Sequence, residues 1–248
     1  MENHRIPIES IISKLDMYLN REDYASAHRL LLYWKDESRN INDLRGELEI
    51  LNELLGFSRR INDKEGGLSA VWRCFELIEI LNISGTTAGT IYLNGATTLK
   101  CFGQPQESIP YYEKAYQCFE GNLPKDDKLW GGFFNNYALA LADVGRYDDA
   151  IDRYQEAIDV MSCVENGHLE VAVTLMNIAE LFERIGDSNH LIDQSLEQAL
   201  YYLNDSSLPR NGYYAFVCRK CAPTFGHFGW FQVERELNER ADRIYEGN

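Results

Sequence analysis

The stretch from Phe133 to Ala157 reads FFNNYALALADVGRYDDAIDRYQEA. Its first half, Phe133 to Leu141, places apolar residues at helical spacing and is followed by Gly145, the residue type that most readily closes a helix. Asp148 and Asp149 come next, where carboxylates suit the positive end of a new helix dipole. Ala150, Ile151, Tyr154, Ala157 and Ile158 then form one apolar stripe. The segment therefore predicts helix, short turn, helix. Ala138 and Ala150 belong where the two helices cross, since a larger side chain there would push them apart. Tyr154 fills the gap toward the next pair. A lone pair would leave one apolar face in water, so further pairs must stack on it.

Those further pairs are visible along the chain. Ala115, Ala157, Ala199 and Ala241 recur every 42 residues. Asn52, Asn94, Asn136 and Asn177 recur at intervals of 42, 42 and 41. Gly103, Gly145 and Gly186 keep the same beat, as do Ala96, Ala138 and Ala179, and Tyr112 lies 42 residues before Tyr154. Several residue types sharing one period point to a repeat architecture.

The arrangement of Ala138, Gly145, Tyr147, Ala150, Tyr154 and Ala157 resembles the tetratricopeptide consensus. The usual unit has about 34 residues. The 42-residue unit here resembles the longer repeats of kinesin light chain and its bacterial relatives. The likeness is strongest from Thr86 to Leu203 and extends more loosely over Asn42 to Leu81. It implies an all-α, right-handed α-solenoid of about six antiparallel helix pairs. The whole chain, 1–248, would form one superhelix with units near 6–40, 41–83, 84–124, 125–165, 166–205 and 206–248. The first unit, with Tyr24, Ala25, Ala27, Leu31 and Trp34, and the last are atypical and read as caps. Pro110 departs from the pattern and must kink its helix or delay its start. Leu191 replaces a small residue at a crossing, so packing there should differ.

Composition narrows the function. Hydrophobic residues make up 45% of the 248, enough for a buried core. The net charge of −15 argues against nucleic acid and against an anionic membrane surface. The opening residues lack the apolar core of a signal peptide. The longest uncharged stretch, Ile80 to Leu99, is too polar to span a bilayer. A cytoplasmic protein is expected. Six cysteines in a chain of this size, mostly among helical apolar positions, read as reduced and mostly buried thiols. No phosphate-cradling glycine loop, nucleophile elbow, zinc-protease helix or dinucleotide fingerprint occurs. The chain reads as non-enzymatic, with no cofactor and no bound metal. Its partner would be a protein or peptide, with a homo-oligomer as an alternative.

The candidate groove residues follow from the repeat. In tetratricopeptide arrays the first helix of each pair lines the concave face, which puts Asn52, Asn94, Asn136 and Asn177 there. An amide offers both donor and acceptor. Two readings stand: the asparagines grip a ligand backbone, or they bond the neighbouring repeat. Arg59, Lys100, Asp143, Glu180, Glu183 and Arg184 lie about a turn away, with Arg219 and Lys220 in the last unit. The cations Arg59, Lys100, Arg184, Arg219 and Lys220 suit an acidic partner or simply face solvent. Cys218 and Cys221, with His227 nearby, offer three soft ligands. Their spacing inside a helix equally puts two core residues on one face. The aromatic segment Phe225 to Phe231 falls at the last turn, either as a recognition loop or folded inward to close the array.

Overall fold

The computed structural model describes residues 5–186 and 189–247. Among these the chain forms twelve α-helices and no strand. They come as six pairs: α1 (Ile8–Asn20) with α2 (Tyr24–Asn40), α3 (Leu44–Ile61) with α4 (Lys64–Ile80), α5 (Gly85–Cys101) with α6 (Pro105–Phe119), α7 (Lys128–Asp143) with α8 (Tyr147–Cys163), α9 (His168–Ile185) with α10 (Asn189–Leu203), and α11 (Gly212–His227) with α12 (Phe231–Glu246). The pairs group into two compact units, Met1–Leu123 and Pro124–Asn248.

In the first unit α2 packs against α1 and α3, and α4 against α3 and α5, while α3 also touches α1 and α5. In the second unit α8 packs against α7 and α9, and α9 contacts α7, α10 and α11. Within each unit, first helices thus meet first helices of neighbouring pairs, and α2, α4 and α8 each also pack against the next first helix. This pattern needs small residues where backbones approach. Ala96, Ala115, Ala138, Ala150, Ala157, Ala179, Ala199 and Ala241 are all fully buried. Gly89 and Gly131 occupy one further repeat position, 42 residues apart. A Cβ on Gly89 would lie 2.5 Å from the Phe119 ring, and one on Gly131 would strike Met161. Those two obstacles are themselves 42 apart, so a small residue faces a large one in both pairs.

The turns of the first two pairs are built from acids and amides. The Asp23, Asp43 and Asp63 carboxylates each accept the backbone N–H of the third residue on, at 3.0 Å. Each such cap satisfies a donor that the helix start leaves open. Asp43 also accepts the Ile6 N–H at 2.9 Å, which ties the chain entering α1 to the start of α3. Below that turn Glu47 is fully buried. It accepts from Arg39 of α2 at 2.6 Å and from Arg73 of α4 at 2.9 Å. Burial alone would raise its pKa, but the two guanidiniums reverse this and hold it below the usual carboxylate range.

Several expectations are refined. α6 starts at Pro105 and runs through Pro110, so the start is not delayed. In the fifth pair Ile192 takes the buried place and Leu191 lies half-buried beside it, so the large residue at that crossing is one position on. The expectation that most thiols are buried is corrected: Cys74, Cys218 and Cys221 are buried, Cys118 is half-buried, and Cys101 and Cys163 are exposed. Cys101 is the last residue of α5 and Cys163 the last of α8, where the helix axis reaches solvent. Phe225 is buried and Phe228 and Trp230 pack against the core of the second unit, whereas Phe231 points outward. The aromatic segment therefore folds largely inward.

Candidate functional site

The asparagine series lies half-buried along the first helices, and its members are engaged differently. In the first unit Asn94 Nδ2 donates to Asn52 Oδ1 at 2.9 Å, linking α5 to α3. In the second unit Asn177 Nδ2 donates at 2.9 Å to Oδ1 of Asn135, not of Asn136. Thr174 also donates to Asn135, at 3.3 Å. The 41-residue step between Asn136 and Asn177 explains the shift. Asn135, exactly one 42-residue repeat before Asn177, is the geometric counterpart of Asn52. Asn136 has no hydrogen-bond partner among the described residues, so its half-buried amide is unspent.

The cations are mostly committed within the fold. Arg59 Nη1 donates to the Asn94 carbonyl at 3.1 Å and to Thr98 Oγ1 at 2.7 Å, so it braces α3 against α5. Burial lowers its pKa from the usual arginine range. Arg184 pairs with Asp143 at 2.8 Å across α9 and α7. Arg219 pairs with Asp242 of α12 and lies 5.3 Å from the Tyr245 ring centroid. Lys100 is half-buried at the end of α5, and Lys220 is exposed on α11. Glu183 contacts His227 at 2.8 Å, and Thr224 donates to Glu180 at 3.1 Å, which laces α11 to α9.

A pocket that residue spacing did not reveal opens on the first helices of the first unit. It holds about 450 Å³ and draws Ile12 from α1, Arg45, Leu48, Glu49, Asn52 and Glu53 from α3, Ile83 from the connection before α5, and Thr87, Thr90 and Ile91 from α5. Glu49 and Glu53 are one helical turn apart, so both reach one face. Burial raises the pKa of each; Asp43 adds to the shift at Glu49 and Asp16 at Glu53. Arg45 and Arg5 partly offset it at Glu49. Among the described residues no cation offsets it at Glu53. The pocket therefore combines apolar walls, an asparagine and two desolvated carboxylates, with Arg45 offsetting the shift at Glu49 and not at Glu53. The signal in the sequence was the pair Glu49 and Glu53 flanking Asn52.

Cys218 and Cys221 lie inside α11 within the core of the second unit. Burial pushes up both thiols, that of Cys221 to about 12, which keeps it from acting as a thiolate. Among the described residues no three His, Cys, Asp or Glu side chains converge in a way that could hold a metal. No helix of the described residues is long and apolar enough to cross a membrane.

Comparison with known proteins agrees with this geometry. Residues 133–190 match the family model for the tetratricopeptide repeat. Among solved structures, BtubC (BKLC) from P. vanneervenii is 18% identical, with a TM-score of 0.59 over 92% of this chain and 91% of that one. The nearly identical repeats of a putative kinesin light chain from Podosopora anserina are 14% identical, with a TM-score of 0.58 over 81% of this chain and 95% of that one. YrrB, described as a tetratricopeptide protein with an unusual peptide-binding site, is 12% identical, with a TM-score of 0.50 over 79% of this chain and 86% of that one. No curated protein matches. The chain is all-α among its described residues and its fold is similar to these repeat structures, with the tetratricopeptide repeat itself matched over residues 133–190.

Proposed function

We propose that this protein is a non-enzymatic binding module that holds an extended segment of a protein partner on the first helices of its repeats. Tetratricopeptide repeats serve protein–protein contact in general, and their fold is typically non-catalytic. The observation that carries the reading is the pocket around Asn52 and Glu53. A desolvated carboxylate costs free energy unless a cation joins it. Arg45, which lines the same pocket, offsets the shift at Glu49 and not at Glu53. A lysine or arginine side chain from the partner supplies the charge, and its alkyl stem suits walls of Ile12, Leu48 and Ile91. Asn52 offers its remaining amide hydrogens to the segment's backbone.

The test is panning of a random peptide library against the full chain. Enrichment of lysine or arginine, reduced in Glu53→Gln, supports the proposal. An enriched set without basic residues, or one that Glu53→Gln leaves unchanged, sinks it. Asn136 provides a second check in the other unit. Asn136→Ala is expected to weaken a captured peptide by about 1–3 kcal/mol with the melting temperature unchanged. A large loss of melting temperature at constant affinity assigns Asn136 to the solenoid instead.

Self-association is a second reading, favoured by one observation. The last pair exposes Tyr213, Phe216 and Tyr245. Light scattering separates the readings, since a sharp monomer at high concentration removes the second.

A further inference from the structure

Tyr214 is the fixed point of a basic pocket in the last helix pair. Its ring is buried, and its hydroxyl donates to the Leu203 carbonyl at 3.1 Å. Arg240 Nη1 donates to the same hydroxyl at 3.0 Å. The Arg210 guanidinium lies over the ring, 4.1 Å from its centroid. Arg243, three residues beyond Arg240 on α12, completes a surface pocket of about 480 Å³ together with Asn204 and Ile244.

The charges in this pocket do not balance. Glu236 pairs with Arg240 at 2.5 Å. Arg210 donates only to backbone carbonyls, those of Leu203 at 3.3 Å and Asp205 at 3.1 Å. Arg243 donates to the Glu239 carbonyl at 3.2 Å. Neither forms an ion pair with a carboxylate among the described residues. The Asp205 carboxylate close by is taken up by His168 at 2.5 Å and by the Ser207 backbone and hydroxyl at 2.8 Å. Three guanidiniums thus meet one carboxylate, in a chain whose net charge is −15. Bringing like charges together costs free energy, and here one buried tyrosine orders two of them by stacking and hydrogen bonding. Such ordering lowers the entropic cost of engaging an anion.

We propose that this pocket binds a phosphate monoester through Arg210, Arg240 and Arg243. The surplus of about two positive charges matches a phosphate dianion, whereas a single carboxylate would leave half of it uncompensated. Guanidinium forks also match phosphate oxygens in pairs. The ester is either a phosphorylated side chain of a protein partner or a free small molecule. The proposal uses no residue of the pocket around Glu53 and stands or falls independently of it.

Isothermal titration of the full chain with O-phosphoserine and with acetate, at matched ionic strength, tests the idea. Phosphoserine is expected to bind and acetate is not. Binding is expected to tighten between about pH 5 and about pH 7.5, as the phosphate passes to its dianion while arginines keep their charge. Arg243→Gln removes an exposed side chain whose only bond lies within its own helix, so its melt should match the parent. Its affinity for phosphoserine is expected to fall roughly tenfold. A phosphoserine-containing peptide that binds more tightly than the free amino acid assigns a protein source; equal affinity assigns a small ester. Absence of phosphoserine binding, acetate binding as well as phosphoserine, or unchanged affinity in a folded Arg243→Gln variant would overturn the proposal.

Discussion

The two units build the same helix pair with different turn chemistry. In the first, the backbone enters the left-handed region at Glu22, Asn42, Asn62 and Asn82, with φ of 55°, 57°, 57° and 51°, every twenty residues. An aspartate cap follows at three of the four turns. Turns within and between its first two pairs are therefore of one kind, whereas Gly103, with φ of 83°, makes the turn between α5 and α6. In the second unit Gly145, Gly186 and Gly229 make the turns within pairs, with φ of 79°, 74° and 85°. Of the connections between pairs there, 164–167 is as long as 81–84 in the first unit and 204–211 is twice that length. The second helices accordingly start at Tyr24, Lys64, Pro105, Tyr147, Asn189 and Phe231, in steps of 40, 41, 42, 42 and 42. A repeat can keep its helix packing while its period drifts, because the turn, not the core, sets the spacing.

The units also differ in how they use charge. The first buries Glu47 between Arg39 and Arg73, while the second holds first helices together by more exposed pairs such as Arg184 with Asp143. Glu47→Ala is expected to cost about 2–3 kcal/mol, because it removes a buried carboxylate that ties α2 to α4 and leaves Arg73 with Glu76 alone. Asp143→Ala should cost less than about 1 kcal/mol, as exposed pairs do. Urea unfolding measures both, and hydrogen exchange should place the first loss in α2, α3 and α4. Equal losses would break the contrast.

A smaller effect is expected at the entry turn of α3. A Cβ on Gly46 would lie 2.5 Å from the Asp43 carboxylate and 2.6 Å from Ile6. Gly46→Ala must therefore displace a capping acid and the chain it anchors, at about 1–3 kcal/mol. A thermal melt with no change would show that the Asp43 contacts with Gly46 and Ile6 yield freely. The turn residues themselves sharpen the comparison further. Gly145→Ala forces a Cβ into left-handed backbone and should cost about 1–2 kcal/mol. Asn62→Gly keeps that backbone permitted and should stay within about 0.5 kcal/mol. If Asn62→Gly proved as costly as Gly145→Ala, the amide side chain would be doing more than tolerating the turn.

These differences explain what the sequence could and could not disclose. The alanine, glycine and asparagine series were readable because packing at helix crossings and turns demands one residue type per position. Gly89 and Gly131 carried the same information at another crossing. The first two pairs matched less well because their turns use an acid or amide followed by Asp at twenty-residue spacing, which is punctuation of a different kind. The candidate site was less legible. Periodicity placed Asn52, Asn94, Asn136 and Asn177 on first helices, but a one-residue shortening decided that Asn135, not Asn136, bonds Asn177. Arg59, Arg184 and Arg219 looked available, yet their partners lie 23 to 41 residues away in sequence and are met only on folding. The convergence of Arg210, Arg240 and Arg243 on Tyr214 joins a loop to a different helix for the same reason.

The smallest expected effect concerns the sign of pH dependence at two glutamates of one helix. Glu47 has a folded pKa below its ordinary 4.5, so its stabilising contribution is present above 4.5 and is lost as pH falls through the folded value. Glu53 is the reverse: its folded pKa lies above 4.5, so its ionised form opposes folding at neutral pH. That penalty fades as pH falls through the raised value and is gone below 4.5, where folded and unfolded chains are both protonated. Glu53→Gln removes the charge and should raise the neutral-pH melting temperature slightly, with the gain vanishing under acid conditions. A carboxylate kept where it weakens the fold is expected of a residue whose counter-ion arrives with a ligand. Melts of parent and Glu53→Gln across that range decide the matter. A variant less stable than the parent at neutral pH would mean that Glu53 already has its partner within the fold, and the cation-accepting role of the pocket would fall with it.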